Sequence, residues 1–525
     1  MTVFRNGKIF TAETQTTTVS AMQIIDGQVV WTGAAEKAPD DSEVVDLAGK
    51  TVLPGLLDIH THPKYIADAL HGVACTPPDV MSIQAMQAAL RLSPAYGQGA
   101  NVWIEGWGFD ESKLAEHRTP TVTDLDEVST TQPIFIYRSD CHSSVGNSKA
   151  LALAGITAGT PDPVGGEIGH FKSGEPNGYM KEVAATQLLI QAKSAQNFET
   201  DVTNMTQTSR HYLENGLVAI GELMGRKLPY DTLQLYEAAY QKGFQPRTAI
   251  YYVWNELKGL SEPLQHPNHR DLTIAGVKVF MDGSISGETA WNKVPYPSGK
   301  TGVSLTSTDE LLAAATFARE HQMQLAVHAM GDAAIQRVLD ATASLTPWLG
   351  VVPSVRIEHA TLLSDAMLAE IKAAPMNYGL VTQPIFLFAE DESYRQFLSD
   401  EQFKTAYRIK SMNQAALTAL SSDAPCTPWA KPDDPFIAMQ AAVTRTAANG
   451  DVVNANEAIS VTQAVLGYTA WAAQVAGLAD SGQLKPGYRG DFVVLSQDVL
   501  TVAPDQIGQT NVTQTWLGGQ LVYER

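Results

Sequence analysis

His60 and His62 flank Thr61 at the end of the apolar run VLPGLLDIH. In a strand, residues i and i+2 point to one side, so the two imidazoles converge on one point. Imidazole nitrogen suits zinc and other late first-row divalent ions. Alone the pair is a weak signal, because 12 histidines in 525 residues give about 0.3 such pairs by chance. The argument rests on accumulation. His328 and His359 each end a strand-like run, Asp423 follows another, and Lys278 sits inside GVKVFMDG, where a lone lysine is expensive to bury. Each has a bland reading. A strand histidine is often a hydrogen-bonded core residue, a strand-end aspartate is often a helix cap, and a lysine in an apolar run usually snorkels to water. Five metal-competent residues and a lysine, all at strand ends, are harder to explain that way.

The elements that must position these residues follow a regular alternation. Eight runs read as strands: VLPGLLDIH (52–60), LVAIGEL (217–223), RTAIYYV (247–253), TIAGVKVFM (273–281), LAVHA (325–329), VRIEHA (355–360), NYGLVT (377–382) and LTALSS (417–422). Helical periodicity lies between them, as in TDELLAAATFARE, which opens with a capping-box pattern at Ser307 and Glu310. Most strand-to-strand steps are near the roughly 31 residues per unit of a (β/α)8 barrel of about 250 residues. The fold class is therefore α/β, a TIM-like (β/α)8 barrel. Its first step is far too long, which places a large insertion, approximately 76–200, after the first strand. That insertion holds the strand-like NVWIEGWGFD (101–110) and PIFIYRSDCHSS (133–144).

Both ends of the chain alternate apolar and polar residues. Turns are expected at Asn6-Gly7, Asp26-Gly27 and Gly518-Gly519. Residues 1–53 and 480–525 would then share one small β unit beside a barrel over 54–479.

Composition narrows the function classes. Apolar residues make up 44% and charged residues 18%, which suits a packed globular chain and not disorder. The balance of 36 basic and 56 acidic residues gives −20, a charge that phosphate backbones and anionic lipid repel, so neither nucleic acid nor membrane is an expected partner. Cys75, Cys141 and Cys426 are odd in number and form no CxxC pair, which fits a reducing compartment. No signal-peptide-like or membrane-spanning apolar run is present in the sequence, and a cytoplasmic location is expected.

The ordered set LPGLLDIHTH, GVKVFMDGS, AVHAMGD, RIEHA and SSDAP resembles the metal-dependent amidohydrolase superfamily. More narrowly, it is similar to the branch that includes N-substituted formamide deformylases, amidohydrolase family 3. GWGFDESKL, CHSSVGNSKAL, GGEIGHFKSGEPNGYMKE, DPFIAMQAAVTR and LKPGYRGDFVVLS extend the likeness over nearly the whole chain. The resemblance implies a composite β-sandwich from both termini beside the barrel, and a centre of two divalent metals, zinc first among the candidates. By motif, His60, His62 and Asp423 would hold one metal and His328 and His359 the other. Lys278 would bridge both after carbamylation, which turns a non-ligating ammonium into an anionic carboxylate-like group. Asp423 would serve as general acid/base for a metal-activated hydroxide that attacks an amide carbonyl.

The expected activity is hydrolysis of a non-peptide C–N bond in a small linear amide, with an N-substituted formamide suggested by the branch. Homo-oligomerisation is left open. Alternatives are a mononuclear deaminase or an ester or lactone hydrolase, and more remotely a non-catalytic assembly protein. The deaminase relatives carry an acid three positions after the fifth-strand histidine, where this chain has Gly331, and Asp332 reads as a helix N-terminal residue. An assembly protein predicts gaps in the ligand set, and there are none. His142, Trp107 and Asp110 are weaker candidates for substrate contact, and Asp282 for orienting a ligand. Trp291, Phe386, Phe388 and Trp429 line a pocket or pack the core. His71, His117, His170, His211, His266, His269 and His321 read as ordinary histidines.

Overall fold

A computed structural model describes residues 1–39, 43–193, 197–260, 264 and 267–525. The chain divides into two compact units, one formed by Met1–His62, Met205–Ser422 and Asp433–Arg525, the other by Pro63–Asn204 and Asp423–Pro432.

The first unit contains eight parallel strands in sequence order, here β1 (Leu56–Thr61), β2 (Leu217–Gly225), β3 (Arg247–Val253), β4 (Leu272–Phe280), β5 (Gln324–Ala329), β6 (Val355–His359), β7 (Tyr378–Thr382) and β8 (Leu417–Leu420). β1, β5, β6 and β7 are buried at every position. Strands covered on both faces read as continuous apolar runs, which is how the sequence betrays them. The ladder leaves β1 and β8 unpaired with each other. Ser422, just past β8, closes the gap by donating its N–H (3.2 Å) and its hydroxyl to Asp58 of β1. The result is a nearly closed barrel.

Helices Thr308–Glu320, Asp332–Thr342 and Asp365–Ala373 return the chain from β4, β5 and β6. Ser307 and Ser364 cap two of them, accepting from Glu310 N and Met367 N at 3.2 Å. The capping box expected at Ser307 is only half formed, because the Glu310 carboxylate pairs with Lys258 (2.8 Å) in place of the Ser307 backbone.

Strands from both termini build one further sheet of the same unit, in the order Gln520–Glu524, Val512–Leu517, Phe492–Leu495, Thr51–Pro54, Thr2–Phe10, Thr18–Ile25 and Gln28–Gly33. Phe4, Phe492 and Trp516 pack at its centre, with Phe492 stacked on Trp516 at 5.4 Å. The turns at Asp26-Gly27 and Gly518-Gly519 connect paired strands, each with two positive φ values, as a tight hairpin requires.

Two local expectations are corrected. Asn6-Gly7 is no hairpin: Thr2–Phe10 is one strand, Asn6 is left-handed (φ 58), and the register with Thr18–Ile25 shifts between Arg5 and Ile9. At that bulge the strand exchanges its parallel neighbour, from Glu43–Asp46 to Thr51–Pro54. Likewise VLPGLLDIH is two strands. Thr51–Pro54 belongs to the terminal sheet and β1 begins after Gly55, where any Cβ would lie 2.4 Å from the Val218 side chain.

The second unit carries a six-stranded sheet in the order Glu167–His170, Pro176–Lys181, Ser144–Gly146, Ile134–Arg138, Ile104–Phe109 and Val73–Ala74. Its core joins Met86, Leu90, Ile104, Phe109, Leu125 and Ile136, among others. Among the described residues no helix is long and apolar enough to cross a membrane.

Candidate metal centre

The candidate ligands of the first unit come together at the C-terminal ends of its strands. His60 lies in β1 and His62 just beyond it. Lys278 lies near the end of β4, His328 near the end of β5, and His359 is the last residue of β6. Their exposures run from 0% (His60) to 8% (His328), with Lys278 at 1%. Ring centroids are separated by 5.7 Å for His60–His62, 4.9 Å for His60–His359 and 4.4 Å for His328–His359. Lys278 Nζ sits 3.3 Å from His60 Nε2 and 5.0 Å from the Phe280 ring centroid. His359 and Ala360 are both left-handed (φ 65 and 47), so the strand ends abruptly at the ligand.

Buried acceptors orient these rings. Glu358 Oε2 lies 2.6 Å from His60 Nδ1. Burial would raise the Glu358 carboxyl, but Arg356, His60 and Lys278 hold it down at about 2. An ionised Glu358 accepts, so His60 Nδ1 carries the proton and Nε2, the nitrogen beside Lys278, is the one suited to ligation. Arg356 is itself fully buried. It grips Glu358 with two N–H groups (2.7 and 3.2 Å) and donates to Tyr251 Oη at 2.6 Å, while Tyr251 donates to Gln324 Oε1 at 2.5 Å.

The other rings follow the same logic. His359 Nδ1 is 2.9 Å from Gln383 Oε1, and Gln383 donates its amide to Ser421 Oγ at 2.9 Å. His328 Nε2 is 3.1 Å from the Gly283 carbonyl, which can only accept, and 3.5 Å from Asp282 Oδ1. Asp282 also accepts from the backbone N–H groups of Gly331, Trp291 and Met330 at 2.8, 2.9 and 3.1 Å. Burial pushes its carboxyl up to about 7 against those three bonds. Three imidazoles thus have one nitrogen each committed to a protein acceptor, a donor set that fits a divalent metal.

Asp423 is the residue after Ser422 in the chain. It is left-handed (φ 57), 7% exposed, and the first residue of the segment assigned to the second unit.

Within the second unit, His142 is half-buried with Nδ1 3.3 Å from Glu182. Burial acts to lower its pKa, but the Glu182 hydrogen bond and the charges of Asp140, Glu182 and Asp423 raise it overall. Trp107 donates its indole N–H to the Ala69 carbonyl at 3.0 Å. Asp110 is buried and accepts from Ser112 and Ser139. Both side chains are engaged in the unit's own fold.

Phe386 stacks on His359 with centroids 6.1 Å apart, and the Arg337 guanidinium lies over Trp291. Phe388 and Trp429 are half-buried. His71, His117, His170 and His321 are exposed. His211 pairs with Asp433 (2.6 Å), His269 stacks on Tyr240, and His266 lies outside the described residues. At Gly331 a Cβ would meet the Trp291 carbonyl at 2.1 Å, so an acidic side chain has no room there. Asp332 opens a helix and accepts from Lys293 N.

Sequence reasoning missed Glu358, Arg356, Gln383 and Glu222. Glu222 is buried in β2, with Oε1 3.9 Å from His62 Nδ1. A signal existed in RIEHA: two charges two residues apart inside a buried strand share a face and need each other.

The chain matches the amidohydrolase family over residues 43–523 and belongs to it, which makes it a hydrolytic enzyme of the class acting on carbon–nitrogen bonds. It is 28% identical to the N-substituted formamide deformylase of Arthrobacter pascens, covering 99% of this chain and 98% of that one. It is 29% identical to LONG AFTER FAR-RED 3 of Arabidopsis thaliana, over 99% and 91%. Among solved structures it is similar to an uncharacterized metal-dependent hydrolase from Pyrococcus horikoshii OT3, with a TM-score of 0.76, 27% identity, and coverage of 96% and 99%.

Proposed function

We propose that this amidohydrolase uses two divalent metals to cleave the non-peptide C–N bond of a small linear amide, with N-substituted formamides as the first substrates to try. The observation that carries this reading is the buried cluster of His60, Lys278, His328 and His359, whose rings are oriented by Glu358, Gln383 and the Gly283 carbonyl. His60, His62 and Asp423 would hold one ion, His328 and His359 the other, with carbamylated Lys278 between them. Ions held there supply hydroxide near neutral pH and polarise a carbonyl oxygen.

The chain's own residues do the rest. The Asp423 carboxylate takes the proton of the attacking water and hands it to the departing nitrogen, which is a poor leaving group unless protonated. Glu358 and Arg356 keep His60 in one tautomer throughout. The half-buried ring of Trp291 offers apolar surface for an N-substituent. The formamide preference is supported by the similarity to the Arthrobacter enzyme.

The test is elemental mass spectrometry on protein purified without chelator, beside Lys278→Ala, with turnover of N-substituted formamides read in parallel. About two metals per chain in the native protein, falling together with turnover in the variant, is the expected result. No bound metal after incubation with zinc and bicarbonate, or full turnover in Lys278→Ala, would overturn the proposal.

A further inference from the structure

Arg445 closes DPFIAMQAAVTR, a segment of the first unit that supplies no ligand to the candidate metal centre. It is the left-handed residue (φ 57) that ends helix Pro435–Thr444, with its N–H on the Ala441 carbonyl at 2.9 Å. Like Arg356 it is 0% exposed. Arg356, however, meets a carboxylate with two of its nitrogens. Arg445 uses only Nε, which donates to the Val453 carbonyl at 3.0 Å. Nη1 and Nη2 are buried and have no hydrogen-bond partner among the described residues. The buried acid whose charge acts on Arg445 is Glu457, and it is committed elsewhere. Its Oε1 accepts from Ser411 Oγ (2.6 Å) and Arg408 Nε (3.2 Å), and its Oε2 from the Ser411 N–H (2.9 Å). Burial outweighs Glu457 and pushes the guanidinium down to about 10, so it stays charged at neutral pH. The end of the helix supplies only about half a negative charge.

We propose that Arg445 holds a small monovalent anion, chloride, on Nη1 and Nη2. Buried polar groups are hydrogen-bonded as a rule, and buried charges are paired. Water on the two nitrogens would meet the first requirement and leave the second unmet, whereas an anion meets both. The guanidinium is a rigid fork whose terminal N–H groups converge on one acceptor. Complete burial limits that acceptor to a single small ion, and one unit charge is what the cation calls for. The site is structural: the ion sits where helix Pro435–Thr444 ends and the chain returns through Val453.

The experiment is thermal unfolding of the full chain at fixed ionic strength, with chloride replacing gluconate, an anion too large for the site. An ion released on unfolding makes the midpoint climb with the logarithm of its concentration. For a chain of this length the expected climb is about 1 °C per tenfold rise in chloride. Arg445→Met, of similar length and without the charge, should show no such slope. Should that variant fail to fold, native crystals grown in about 0.15 M bromide decide the matter. A bromine or chlorine anomalous peak on Nη1 and Nη2 is expected there. A flat native midpoint, an equal slope in native protein and Arg445→Met, water alone on the two nitrogens, or a peak only at molar bromide would each overturn the proposal.

Discussion

Glu358 Oε2 stands 2.6 Å from His60 Nδ1, across the barrel interior from a strand almost 300 residues away in sequence. The carboxylate is ionised, fully buried and held on its other side by Arg356. Supporting carboxylates of this kind fix both the tautomer and the aim of a ligating imidazole. Glu358→Gln keeps the shape and removes the charge. It should weaken metal binding by about 10–100-fold, read by competition with a calibrated chelator. Unchanged affinity would show that His60 is oriented by packing alone.

Asp423→Asn addresses the proton transfer. A lost general acid/base costs roughly 10²–10⁴-fold in kcat, with the unfolding transition left near that of the native protein. Turnover close to native would remove Asp423 from the mechanism.

A third expectation concerns pH. Burial drives Asp58 from 3.8 up to about 7, against hydrogen bonds from Ser422 and the His60 N–H. A raised carboxyl binds more proton folded than unfolded, so its contribution to stability is fullest below the unfolded value and is lost as pH rises from about 4 to 7. Glu358 runs the other way, and its contribution fades only as pH falls below 4.5 towards about 2. Urea midpoints of Asp58→Asn should therefore be flatter than native between about pH 4 and 7. Parallel curves would mean that Asp58 is ionised across that range.

Gly331 tests whether the site tolerates the acid that ring deaminases carry at this position. Its φ of −74 is ordinary, so the obstacle is space alone, with the Trp291 carbonyl 2.1 Å from an added Cβ. Gly331→Ala should cost about 1–3 kcal/mol through overpacking, measured by denaturant unfolding. A neutral substitution would imply that the Trp291 loop shifts readily.

The sequence by itself determined the alternation of strands and helices and the strand-end positions of His60, Lys278, His328, His359 and Asp423. Both signals are local: a buried parallel strand is a short apolar run, and a polar residue at its end stands out against it. The turns at Asp26-Gly27 and Gly518-Gly519 were legible for the same reason, since tight turns need residues that accept positive φ. Asn6-Gly7 carries that same signal, and only the pairing of Thr2–Phe10 with three neighbours turned it into a bulge. Tertiary structure alone decided which nitrogen of each histidine is committed, because Glu358, Gln383 and the Gly283 carbonyl reach their rings from other strands and loops. It also decided that the Arg356–Glu358 pair, two residues apart in β6, is extended by Tyr251 and Gln324, links from other strands that no spacing encodes. A hydrogen bond closed between distant segments depends on how the barrel brings its strands round, and linear order carries no record of that distance.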